Sequence, residues 1–162
     1  MKITLRYLPN RLTRKDRKLQ SKELMKSRRL YKKGIYHSRP KLSSFKSKKS
    51  NYIIKAEKMY NVNKIGATDE LSKATGCKKS ALAKIINKGA GAYYSSGSRP
   101  NQTAQSWGIA RLASAITAGK AAAVDYNILE KGCKPKSKAL SLAKTARLKH
   151  GHGTRKVPKV LV

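Results

Sequence analysis

A mainly α fold is predicted for this 162-residue chain, on three observations. Between Val62 and Cys133 apolar residues recur at helical spacing. Threonines stand where helices open and glycines where they close. No segment there has the alternating pattern of a convincing strand. The expected architecture is a small helical domain with a glycine/serine loop, flanked by an extended basic N-terminal arm and a basic C-terminal tail. The divisions fall at 1–60, 61–133 and 134–162.

The arm comes first. A helix can start at Thr13, with Asp16 three residues later in a capping-box-like position. Leu12, Leu19 and Leu30 fall near one face, but Leu24 and Met25 do not, so the stripe is too thin to fold alone. The stretch GIYHSRPKLSSFKSKKS reads as an extended segment without a core, ordered only against a partner.

Next comes a pair of short helices. Thr68 caps the first, which carries Leu71 and Ala74, and Gly76 stops it. The second turns Leu82, Ile85 and Ile86 inward and Lys78, Lys79, Lys84 and Lys88 outward. The spacing is helix-turn-helix-like. A purely structural helix pair fits it as well, with Lys78, Lys79 and Ser80 at most touching phosphates.

Gly89 and Gly91 are expected to end that helix. Tyr93 and Tyr94 follow, then SSGSRPNQ as a shaped, hydrogen-bonding loop containing Arg99 and Pro100. Thr103 caps a helix from about Ala104 to Ala118. Both of its faces are apolar or small, which predicts burial of Trp107 and Arg111. Gly119 stops it, and a last helix runs from Lys120 to Lys131. Asp125 is expected to pair with Arg111 or Arg99.

Charge points to partners. Net charge is +32, from 39 Lys and Arg against 7 Asp and Glu. Residues 1–60 hold 20 basic and 3 acidic residues, whereas residues 89–133 hold 4 and 2. A polyanion neutralises such a chain, and nucleic acid is the commonest one. The expected contact groups are Arg11, Arg14, Lys15, Arg17, Lys18, Arg28, Arg29, Lys32, Lys33, Lys46, Lys48 and Lys49 in the arm. Lys78 and Lys79 follow in the middle, then Lys136, Lys138, Arg155 and Lys156 in the tail. No apolar run is long enough to span a membrane, and no apolar signal segment opens the chain. Cys77 and Cys133 are too few for a disulfide framework and suggest a chain that does not depend on oxidation.

The stretch GAGAYYSSGSRPNQTAQSWGIARLASAITAGKAAAVD resembles a small domain of unknown function encoded by large DNA viruses of eukaryotes, with looser relatives in tailed phages. The matching residues are Gly89, Gly91, Ala92, Tyr93, Arg99, Pro100, Trp107, Ala110, Arg111, Leu112, Ser114, Gly119 and Lys120. Gly97 stands where that pattern has serine, and Ser98 follows it. The resemblance covers about residues 62–131. It implies a viral setting and a component of the particle, made inside the infected host cell.

Chemistry is sparse. Asp125 and Glu130 are the only carboxylates of the neutral stretch, which has no histidine, and Ser95, Ser96 and Ser98 lack a neighbouring base. Cys77, Cys133, His150 and His152 match no compact zinc spacing, and the short G-x-G is no nucleotide loop. The expectation is a non-enzymatic protein without cofactor, metal or small-molecule substrate. Two functions fit. One is a minor capsid or internal cementing component whose basic arms anchor to acidic capsid surfaces or the genome. The other is a DNA-binding protein for genome compaction or regulation.

Overall fold

The computed structural model describes residues 2–151 and 158–162. The fold is mainly helical, as expected, with eight α-helices among the described residues: α1 Arg14–Tyr31, α2 Asn51–Tyr60, α3 Asp69–Thr75, α4 Lys79–Ser95, α5 Ala104–Ala115, α6 Lys120–Val124, α7 Tyr126–Gly132 and α8 Lys138–His150. Two strands of three residues, β1 Lys2–Thr4 and β2 Lys159–Leu161, pair antiparallel, with Ile3 opposite Val160. No helix among the described residues is long and apolar enough to cross a membrane.

The chain divides into two compact units, neither of which coincides with the expected arm, core or tail. The first comprises residues 1–48, 90–107 and 156–162; the second comprises residues 49–89 and 108–155.

In the first unit, Ile3, Tyr7, Leu8, Leu12, Leu24, Leu42 and Phe45 form a buried cluster, with Leu19 and Trp107 packed against it. The expected helix at Thr13 is present, and the Thr13 hydroxyl accepts from Asp16 N–H. The segment after it is irregular, also as expected, but neither piece lacks a core. The buried stripe of α1 is largely polar: Asp16, Gln20, Ser21, Leu24 and Ser27. Each of three side chains there finds a specific partner. Gln20 Nε2 donates to Tyr7 O at 3.0 Å. Ser27 Oγ donates to Tyr94 O at 3.0 Å. The Asp16 carboxylate accepts from Ser44 N and Oγ at 2.8 and 2.5 Å.

The second unit holds the larger cluster, built on Leu71, Leu82, Ile85, Leu112, Ile116, Leu129 and alanines of α5, α6 and α8. Two of its helices lie where none was expected. Ser50 caps α2, Ala56 and Tyr60 of α2 are buried, and Tyr60 OH donates to Ile116 O at 2.5 Å. Ser137 caps α8, which buries Ala139, Leu140, Ala143 and Ala146 at helical spacing. The expected tail therefore contributes a helix to this core.

Three local expectations are corrected. Gly89 and Gly91 do not end a helix, because α4 runs through both to Ser95. A Cβ on Gly89 would lie 2.5 Å from Gly108 Cα, and one on Gly108 would lie 2.3 Å from Ile86 O. Glycine serves there for a close crossing of α4 and α5. The helix after Gly119 is broken at Asp125 into α6 and α7. Cys77 and Cys133 are joined in a disulfide, across an isolated antiparallel bridge. Spacing along the chain conceals that pairing, since 56 residues separate the two sulfurs.

Candidate functional site

Two polar centres and one charged surface could carry function. The first centre gathers the end of α4 and the loop behind it. The carbonyls of a last helical turn have no partner within the helix, and here side chains from outside α4 take them. Ser27 Oγ donates to Tyr94 O, Arg28 donates twice to Ser96 O at 2.9 and 2.7 Å, and Arg39 Nη1 donates to Tyr93 O at 2.6 Å. Cations at that end also oppose the helix dipole. Arg39 Nη1 further donates to Ser27 Oγ at 3.1 Å, and Nη2 to Ser98 Oγ at 2.8 Å. Its guanidinium sits 3.8 Å from the Tyr93 ring centroid. Desolvation lowers the Arg39 pKa, with nearby tyrosines opposing the shift.

The loop geometry explains its letters. Gly97 has φ +126°, and a Cβ there would come within 2.8 Å of Leu24 Cδ2. Asn101, at φ +61°, accepts from Leu42 N and donates to Leu42 O and Phe45 O. Pro100 is buried, but Arg99 is exposed. The triplet Ser-Arg-Pro occurs at 38–40 and again at 98–100. The fold joins the first arginine to the second serine, so Arg39, absent from the expected residues, binds this loop.

The second centre is the expected ion pair. Asp125, 1% exposed, accepts from Arg111 Nε and Nη2 at 2.7 and 2.8 Å, and from Lys88 Nζ at 2.9 Å. Bidentate geometry suits the guanidinium, and burial of a carboxylate demands such pairing. Neighbouring residues of the quoted stretch are structural as well. Leu112 is fully buried, and Ser114 Oγ accepts from Ala121 N beyond the turn at Gly119. Trp107 is half-buried rather than core, with its ring edge-on to Tyr7 at 6.1 Å.

The helix pair appears as α3, then Gly76 at φ +75°, then α4. The adjoining chain covers its turn: Lys134 N donates to Gly76 O, and Lys78 N donates to Gly132 O. Lys78, Lys79 and Ser80 are exposed at the start of α4, and Lys79 pairs with Asp69 at 3.2 Å. The disulfide removes both thiolates from the four metal-ligand candidates. His150 lies in the last turn of α8, whereas His152, like Arg155 and Lys156, falls outside the described residues.

The charged surface is clearest on α1. Arg14, Lys15, Lys18, Lys22 and Arg29 are all exposed, and at 100° per residue they share the face opposite the buried stripe. From Arg14 to Arg29 they span about 22 Å. Lys32, Lys33, Lys46 and Lys48 are exposed beyond it. Other expected groups are engaged. Arg11 lies over Phe45, Arg17 reaches Leu8 O, Arg28 holds Ser96 O, Lys49 pairs with Glu57, and Lys138 lies over Tyr60. Lys136 is exposed before α8.

These features define a basic helical protein whose buried polar groups hold the fold. The chain belongs to a family of unknown function, DUF5824, which it matches over residues 5–132. No curated protein and no solved structure matches it.

Proposed function

We propose that the protein is a non-enzymatic nucleic-acid-binding component of a large DNA virus particle, acting without sequence preference to pack or coat the genome. The observation that carries this is the basic face of α1, interrupted only by the exposed Met25 between Lys22 and Arg29. Its 22 Å matches about six phosphates along one strand of duplex DNA. The first unit holds 20 of the 39 basic residues and only 2 of the 7 acidic ones, so the field of that face is unopposed. The resemblance noted above supplies the viral setting. Anchoring to acidic capsid surfaces is the second reading. It rested on an arm ordered only by a partner, and the cluster around Leu24 weakens that support.

Charge substitution tests this better than truncation, because residues 1–48 supply the first unit's buried cluster. With Arg14, Lys15, Lys18, Lys22 and Arg29 changed to Gln, the slope of log affinity against log salt for duplex DNA should flatten. The expected change is about 0.9 for each phosphate contact removed. An unchanged slope contradicts the role of this face. Incorporation into shells assembled without DNA would favour the capsid reading.

A further inference from the structure

The end of α1 exposes aromatic rings among cations. The helix closes on Gly34, at φ +76°, with Gly34 N donating to Tyr31 O and Ile35 N to Leu30 O. That double closure is a Schellman motif, which fixes the direction of the chain leaving the helix. It delivers Ile35 and Tyr36 to the surface beside Tyr31, with exposures of 50%, 69% and 37%. The rings form a series. Tyr36 lies 6.0 Å from Tyr31 and 5.1 Å from Tyr94, tilted 33° to the latter. Tyr94 meets Tyr93 edge-on at 5.0 Å, and Tyr93 is buried and bonded to Arg39. The exposed end of the series is thus backed by a fixed one.

Cations dominate its surroundings, and the nearby Glu23 carboxylate is bonded to His37, next to Tyr36. Arg29, Lys32 and Lys33 flank Tyr31 in the chain and are exposed. No Asp or Glu occurs from Leu24 to Ser50 or from Ala90 to Trp107.

We infer that Tyr31 and Tyr36 form a stacking platform for unpaired bases, so that the first unit binds single-stranded nucleic acid, with Arg29, Lys32 and Lys33 meeting its phosphates. The inference deepens the proposed function and rests on it. An exposed ring face beside cations fits a base face beside a phosphate, and every base has such a face. A duplex keeps its base faces stacked on each other, and a second copy of this chain brings like charge.

The test measures binding of 20-nucleotide single-stranded DNA, single-stranded RNA and duplex DNA of one sequence, at fixed salt. Tyr36→Ala and Tyr36→Phe are compared with the parent protein. Tyr36 is a surface residue, and unchanged helical signal verifies folding. Tyr36→Ala should weaken single-strand binding roughly tenfold or more, the scale of one lost base stack. Duplex affinity should stay within about twofold, and Tyr36→Phe should behave as the parent. The strand with the larger loss identifies the preferred sugar. No loss, or an equal loss on duplex, overturns the platform and leaves the broader reading standing. A parent protein that binds none of the three overturns both.

Discussion

In the first unit a half-buried arginine, Arg39, bonds only neutral groups: Ser27, Tyr93 and Ser98. In the second a buried carboxylate, Asp125, bonds two cations, Arg111 and Lys88. One unit dissipates a charge over carbonyls and hydroxyls and stays strongly basic. The other uses a scarce carboxylate to neutralise charge next to its apolar cluster. The first unit carries 20 basic and 2 acidic residues and the second 19 and 5, which is why the proposed polyanion contact is assigned to the first.

The largest expected effect lies in the second unit. Changing Cys77 and Cys133 to Ser removes a cross-link over 56 residues, which should cost about 4 kcal/mol by the chain-entropy account. Denaturant titration with and without reductant measures it. Arg111→Ala comes next. It leaves the Asp125 carboxylate with Lys88 alone, at a cost of about 3 kcal/mol, read as a lowered denaturation midpoint. Arg39→Ala should cost less, about 2 kcal/mol, because the acceptors it abandons are neutral. A larger loss for Arg39 than for Arg111 would break the comparison.

The smallest effect is a pH dependence. The Ser44 hydroxyl and then the Ser44 N–H hold the Asp16 carboxyl below its ordinary value. Its contribution is therefore fully present above the unfolded-state value of about 3.9 and lost as pH falls through the lower folded value. Ser44→Ala should move the acid-unfolding midpoint to higher pH. No movement would show that this pair adds nothing to the first unit.

Much of the second unit was legible. Thr68 and Gly76 mark helix ends, and the pairing of Asp125 with Arg111 follows from a scarce carboxylate in an apolar setting. The first unit was far less so. Apolar periodicity cannot find α1's buried face, because Asp16, Gln20 and Ser27 occupy it, each serving a backbone or hydroxyl group distant in sequence. Arg39 is similarly hidden: nothing local distinguishes Ser-Arg-Pro at 38–40 from Ser-Arg-Pro at 98–100. Gly89 looks like a stop until α4 and α5 are seen to cross there, against Gly108. Alanine did the same for α8, since Ala139, Ala143 and Ala146 make a buried stripe too small to stand out among lysines.

The central claim is that the basic N-terminal segment is a folded surface and needs no partner to order it. Hydrogen exchange on nuclease-treated protein, free of nucleic acid and at high salt, tests this directly. The account predicts slow exchange for amides of α1 around Leu24 and for Phe45, whose N–H bonds Leu42 O. Exchange of residues 2–48 at unfolded-chain rates, slowing only when nucleic acid is added, would contradict it.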